Sequence, residues 1–151
     1  MKVITQFAVI SVLVHNQDEA LRFYTEKLGF EKRSDVSYGL GMRWLTVAPK
    51  GRRKPEIALA KPDVALHGEE RTQDLLQRIG QGTCCIFDTR NCWRAYERLR
   101  AKGVTFVSEP VEQAYGVEAI FTDPDGNKFA LLQPSVELHA SMQGHAADTA
   151  A

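Results

Sequence analysis

The chain has 151 residues, 44% of them hydrophobic, and its 19 basic and 19 acidic residues cancel to a formal charge of +0. That length suits one domain, or two small modules sharing a core, and the balanced charge argues against a nucleic-acid or anionic-membrane partner. No apolar run approaches the ~20 residues of a membrane span, and no secretory signal pattern opens the chain, so a cytoplasmic protein is expected.

Residues 4–14 read as a strand, with Val9, Ser11 and Leu13 on one face and Ile10, Val12 and Val14 on the other. Asn16 followed by Glu19 resembles a capping box. It predicts a helix over 17–28 with Ala20, Leu21, Tyr24 and Leu28 inward and Gly29 as its stop. A short strand over 30–34, a glycine-bearing loop over 36–41, a strand over 43–48 and a strand over 56–60 follow, the last two joined by a Pro49-Lys50-Gly51 turn. Residues 63–80 form a polar connector in which Leu75, Leu76 and Ile79 mark a short amphipathic helix, a candidate lid or interface element. Beyond it come a strand over 83–87, a helix over 91–102 with Cys92, Ala95, Tyr96 and Leu99 inward, and a strand over 104–108. A loop over 109–115 leads to a hairpin of strands 117–121 and 129–133 around the turn Asp123-Pro124-Asp125-Gly126-Asn127. Residues 135–151 are a polar tail whose last ten or so residues are expected to fray.

The elements repeat. Asn16 and Asn91, Ala20 and Ala95, Pro49 and Pro124, and Gly51 and Gly126 are each separated by 75 positions. Capping residues, helix stops and turns recur in one order, so each half reads β-α-β-β-β. The expected class is α+β: one domain over 1–134 with modules at about 3–62 and 83–134 and a connector at 63–82.

The segments Asp18-Glu-Ala-Leu-Arg-Phe-Tyr-Thr-Glu-Lys-Leu-Gly-Phe30, Ala95-Tyr-Glu-Arg-Leu-Arg-Ala-Lys-Gly-Val104 and Phe121-Thr-Asp-Pro-Asp-Gly-Asn127 resemble the vicinal oxygen chelate superfamily. That superfamily includes glyoxalase I, extradiol dioxygenases and bleomycin-resistance proteins. The resemblance implies tandem modules whose curved mixed sheets surround a central cavity, commonly in a homodimer. It also implies metal-ligand positions on the first and last strand of each half, which fall here on Val9, Ala58, Cys84 and Ala130. Three of these four side chains cannot ligate a metal, and a divalent ion needs several N, O or S donors. No metal or other cofactor is therefore expected.

The small or polar set Glu56, Ala58, Ala60 and Lys128, Ala130, Leu132 suits a cavity face, and Ile57, Leu59, Phe129 and Leu131 suit packing beneath helices. Both parities stay open for the strands over 43–48 and 117–121. Trp44 and Tyr115 stand at or before hairpin strands as cavity-lining candidates, with core packing as the alternative, and Ser11 and Glu56 are the nearby polar groups. Glu56 is a candidate base or ligand anchor. Cys84, Cys85 and Cys92 form no C-x-x-C motif and are expected as reduced thiols. His15, His67, His139 and His145 are expected in loops or the tail, and Asp123 and Asp125 as turn residues. The expected function is a metal-free protein that binds a small organic molecule through Val9, Ser11, Trp44, Glu56, Ala58, Cys84, Tyr115 and Ala130. The alternative is a lyase or dioxygenase with displaced metal ligands, or an isomerase using Glu56; whether the chain catalyses a reaction is left open.

Overall fold

The computed structural model describes residues 3–4, 6–83 and 85–141. Cys84, His145 and the expected frayed end lie outside the described residues. Contacts divide the chain into two compact units: residues up to Thr83 together with Asp123–Asn127, and residues Cys84–Thr122 together with Lys128 onward.

In the first unit, β1 (Val9–Leu13), β4 (Glu56–Ala60), β3 (Met42–Ala48) and β2 (Glu31–Tyr38) form a sheet in the order β1-β4-β3-β2. β1 and β4 run parallel and the other pairs antiparallel. Helix α1 (Gln17–Arg22) starts as the sequence predicts, with the Asn16 side chain accepting the Glu19 N–H at 3.0 Å. It continues as a π-helical turn, Phe23–Lys27, and packs on β4. Alternation then sorts the sheet: Val12, Leu45, Val47, Ile57 and Leu59 form the core side together with Ala20, Phe23 and Tyr24. Each large apolar side chain buried there contributes on the order of 1.5–3 kcal/mol.

The first unit also contains α2 (Val64–His67) and α3 (Glu69–Arg78). The connector is thus helical for most of its length, with Leu75 and Ile79 buried and Leu76 exposed. The turn 123–127 is fixed from within. The Asp123 carboxylate, only 4% exposed, accepts from the Tyr24 hydroxyl (2.8 Å) and from the Asn127 side-chain amide (2.9 Å) and backbone N–H (2.8 Å). Asn127 in turn donates to the Leu13 carbonyl at 2.9 Å and accepts the Gly80 N–H at 3.0 Å. Gly80 has φ 79°, and a Cβ there would lie 2.6 Å from the Asp125 carbonyl oxygen, so only glycine fits without a shift. His15 meets Asp125 Oδ1 through Nδ1 at 2.7 Å. Asp123 and Asn127 thus form a buried polar network rather than a solvated turn, with His15 exposed beside it as expected of a loop residue.

In the second unit, β5 (Cys85–Asp88), β9 (Lys128–Pro134), β8 (Gly116–Thr122) and β6 (Thr105–Phe106) form a sheet in the order β5-β9-β8-β6, and β7 (Val111–Gln113) also pairs with β8. Helix α4 (Cys92–Ala101), capped by Asn91, packs on β8 and β9. Its core is aromatic: Phe87 stacks on Phe129 with centroids 5.0 Å apart and on Phe121 at 6.0 Å, while Phe106 meets Tyr96 edge-on at 4.7 Å. Cys92 is buried, its thiol pushed up in pKa by desolvation and placed 3.6 Å from the Leu131 carbonyl oxygen. It is a structural thiol.

Several expected boundaries change, among them the strand expected over 104–108, which shortens to Thr105–Phe106. The first strand begins at Val9 rather than Ile4, because pairing with β4 starts at Val9↔Glu56; Val3, Ile4 and Phe7 are exposed. The strand expected over 30–34 runs to Tyr38, because Val36 and Tyr38 pair with Trp44 and Met42 where a loop was expected. The loop expected over 109–115 contains β7, paired with residues 116–118. The helix expected over 17–28 turns π-helical at Phe23.

Candidate ligand-binding cavity

The first unit holds a cavity of about 300 Å³. It lies where β3 begins and β4 ends, bounded by the β2–β3 turn and by α2. Strand register decides the parity that the sequence left open. Ser11 pairs with Ala58, Ala58 with Thr46, and Val36 with Trp44, so Ser11, Ala58, Ala60, Met42, Trp44 and Tyr38 share one face. Small residues on β4 leave room there, and Trp44 and Tyr38, each 41% exposed, flank it. Leu66 and His67 of α2 complete the wall.

Among the charged groups in the wall, Arg43 is held by two carboxylates. Arg43 donates from Nε and Nη2 to the two oxygens of Asp35 at 2.8 and 2.9 Å, and from Nη1 to Asp18 at 2.8 Å. This fork holds Asp35 down to about 2 and raises Arg43 further above its already high value. The Gln17 side-chain amide donates to the carbonyls of Leu59 (2.9 Å) and Arg43 (3.3 Å). Asp63 caps α2 by accepting the Ala65 N–H at 2.7 Å, and His67 Nδ1 sits 3.2 Å from the Asp63 carbonyl oxygen.

Of the residues singled out in the sequence, Ser11, Trp44 and Ala58 line this cavity. Val9 and Glu56 pair with each other on the same face but lie outside the wall, toward the other end of β4. Glu56 accepts the Thr46 hydroxyl at 2.6 Å and meets Lys54 Nζ at 3.1 Å. The Thr46 hydrogen bond and then Lys54 pull its pKa below the ordinary carboxylate value, against some desolvation. A carboxylate held that way is a poor general base. Tyr115 and Ala130 belong to the second unit. Tyr115 donates to Glu118 Oε1 at 2.9 Å, and Ala130 stands between Ile120 and Ile86 on the sheet. Cys84 is outside the described residues. Sequence reasoning missed Tyr38, Met42, Gln17 and His67. Tyr38 was hidden by reading its strand as a loop, and His67 by placing it in a solvated connector; the alternation Val36, Tyr38 was the available signal for the first.

The family model described as Glyoxalase/Bleomycin resistance protein/Dioxygenase superfamily matches residues 6–131. The chain belongs to this superfamily. The uncharacterized protein YurT of Bacillus subtilis (strain 168) is 36% identical over 129 residues, 85% of this chain and 98% of that protein. Among solved structures, UcmS2 is 41% identical, covers 87% of this chain and 99% of its own, and superposes with a TM-score of 0.78. TnmS3, an antibiotic binding protein from Streptomyces sp. CB03234, is 29% identical, covers 89% of this chain and 100% of its own, and has a TM-score of 0.70. The metal positions that the superfamily resemblance implies do not fit an ion here: Val9, Ala58 and Ala130 carry no donor atoms. Among the described residues, no three His, Cys, Asp or Glu side chains gather to hold one.

Proposed function

We propose that this superfamily member is a metal-free small-molecule-binding protein whose aromatic organic ligand sits in the cavity of the first unit. The observation that carries this reading is a concave site of about 300 Å³ with aromatic flanks, Trp44 and Tyr38, and a floor of Ala58 and Ala60. That volume is at the lower end of the ~300–1,000 Å³ usual for ligand pockets. Likeness to an antibiotic binding protein supports the same class. The reading includes a homodimer in the cytoplasm without a nucleic-acid partner; the exposed apolar residues Val36, Leu40 and Trp44 on one hairpin support a covering partner copy. No helix among the described residues is long and apolar enough to cross a membrane.

The test is a thermal-shift screen of aromatic metabolites and antibiotics, followed by calorimetric titration of each hit against Ala58→Trp. This substitution fills the cavity and should abolish binding, at roughly 1–3 kcal/mol of stability from overpacking. Unchanged affinity for every hit would place the ligand elsewhere. Treatment with a chelator should leave the melting temperature and every affinity unaltered; a drop in either, with a stoichiometric metal found by elemental analysis, would overturn the metal-free half of the reading.

A further inference from the structure

We infer that Asp63 is the polar anchor of this cavity and that the ligand it selects is an aromatic bearing a protonated amine; this rests on the small-molecule reading above. Asp63 lines the wall and is half-buried. Its Oδ1 caps α2 by accepting the Ala65 N–H at 2.7 Å, and its Oδ2 meets no donor among the described residues. His67, beside it in the wall, is a donor. The Asp63 carbonyl already accepts the N–H groups of Leu66 (3.2 Å) and His67 (2.9 Å), whereas the Asp63 N–H has His67 Nδ1, at 3.4 Å, as its acceptor. Nδ1 also lies 3.2 Å from that carbonyl oxygen, which is satisfied without it. Nδ1 therefore accepts, and the ring proton sits on Nε2. A histidine in that form offers a ligand a donor and no acceptor.

The cations of the wall leave Oδ2 uncompensated. The Arg43 guanidinium is held by Asp35 and Asp18. Lys61 lines the same cavity but forms no ion pair with Asp63, and it is exposed, so water and salt screen it. Gln17 donates both amide hydrogens to backbone carbonyls, which leaves a neutral oxygen as the other sheltered acceptor. A ligand that covers Asp63 takes water from Oδ2, and a carboxylate left without a partner is costly. A cation offsets that cost best, since a hydrogen bond between charged groups is roughly twice as strong as a neutral one. Trp44 and Tyr38, which flank the cavity, attract a cation through their ring faces as well as an aromatic body. This replaces Glu56 as the expected anchor, since Glu56 is committed to Thr46 and Lys54 outside the wall.

Three probes of one shape test the inference by calorimetry at low ionic strength: 2-(aminomethyl)naphthalene, 2-(hydroxymethyl)naphthalene and 2-naphthoate. Wild type should bind the amine roughly tenfold or more tighter than the alcohol, the range of a hydrogen bond to a charged group, and the carboxylate weakest of the three. Asp63→Asn keeps an oxygen for the Ala65 N–H and removes the charge. It should bring the amine to within about twofold of the alcohol. Asp63→Ser, which also keeps a cap, should do the same and serves if Asp63→Asn misfolds. Equal affinity for amine and alcohol in wild type would overturn the anchor and leave the cavity reading standing. So would tightest binding of the carboxylate, which would make Lys61 the deciding charge, or an amine preference that survives both substitutions. If none of the probes binds, or if Ala58→Trp leaves all of them unchanged, the cavity reading falls and the anchor with it.

Discussion

On β4 of the first unit, Ala58 and Ala60 leave space beside Thr46, and Trp44 and Tyr38 stand half exposed around it. At the repeat-related places of the second unit, Ala130 stands beside Ile120, and Leu132, 6% exposed, takes the position of Ala60. The helix-side cores differ as well. The first is mainly aliphatic, with Phe23 edge-on to a tyrosine whose hydroxyl is tied to a buried carboxylate, and the second is built on a stack of phenylalanines. One backbone plan thus serves two ends: side-chain size on a single strand decides whether a sheet face opens into a cavity, while the opposite face only needs to be filled.

The largest expected effect lies in the second unit. Phe121 is 1% exposed and meets Phe87, Phe106 and Phe129. Phe121→Ala should cost about 3–5 kcal/mol in chemical denaturation. A loss below about 1 kcal/mol would mean that the aromatic stack is not the core that separates this unit from the other.

Next comes Tyr24→Phe in the first unit, which removes one of the donors to buried Asp123. A hydrogen bond to a charged group contributes about 1.5–3 kcal/mol, and that loss is expected at neutral pH. Desolvation already raises the Asp123 pKa above its ordinary value, against hydrogen bonds from Asn127 and Tyr24 that lower it. A carboxyl whose folded pKa is raised favours the fold most below its unfolded pKa and loses that contribution as pH rises through the folded value. Removing the tyrosine donor raises the pKa further. The cost of the substitution should therefore shrink as the pH is lowered toward the ordinary aspartate range, and a pH-independent cost would dissociate Tyr24 from the charge on Asp123.

That network shows where sequence reading ends. The duplicated β-α-β-β-β order, both asparagine caps and the turn at 123–127 were legible because capping and turn chemistry is local. The parity of β4 and β9 was legible because large apolar residues alternate there with smaller or polar neighbours, whereas that of β3 and β8 waited for strand register. Burial of Asp123 was not legible: the same Asp-Pro-Asp-Gly-Asn letters suit a solvated turn, and only contacts with residues about a hundred positions away make it a core element. The site divides the same way. Ala58 could be found from parity and from the repeat, and Trp44 only as an aromatic on a hairpin strand of open parity, whereas His67 comes from a connector without repeat or period, and the pairing of Glu56 with Thr46 depends on cross-strand register.

Trp44→Ala sharpens the contrast between filling and opening. The side chain is 41% exposed, so stability should change by less than about 1 kcal/mol, far less than for Phe121→Ala. Binding of any cavity ligand should weaken about tenfold or more, since stacking on an aromatic face contributes roughly 0.5–1.5 kcal/mol beyond area burial. Retained affinity in calorimetry would remove the aromatic flank from the site.

Glu56→Gln should have the smallest effect and bears on the strand that the cavity shares. Glu56 Oε1 accepts from Thr46 and Oε2 meets Lys54. Glutamine keeps an oxygen for the hydroxyl but turns its NH₂ toward the lysine. A partly exposed ion pair of this kind contributes about 0.2–1 kcal/mol, and that is the expected loss at pH 7. The folded pKa is depressed, chiefly by the Thr46 hydrogen bond. The stabilisation is therefore present above the ordinary glutamate value and lost as pH falls through the folded one. Denaturation curves of wild type and variant should accordingly converge on acidification, the reverse of the trend expected from intact Asp123. Ligand affinity should stay within about twofold, less than the tenfold of 1.4 kcal/mol, because this carboxylate lies outside the cavity wall. A larger loss, selective for cationic ligands, would return Glu56 to the site and extend the cavity along the whole of β4.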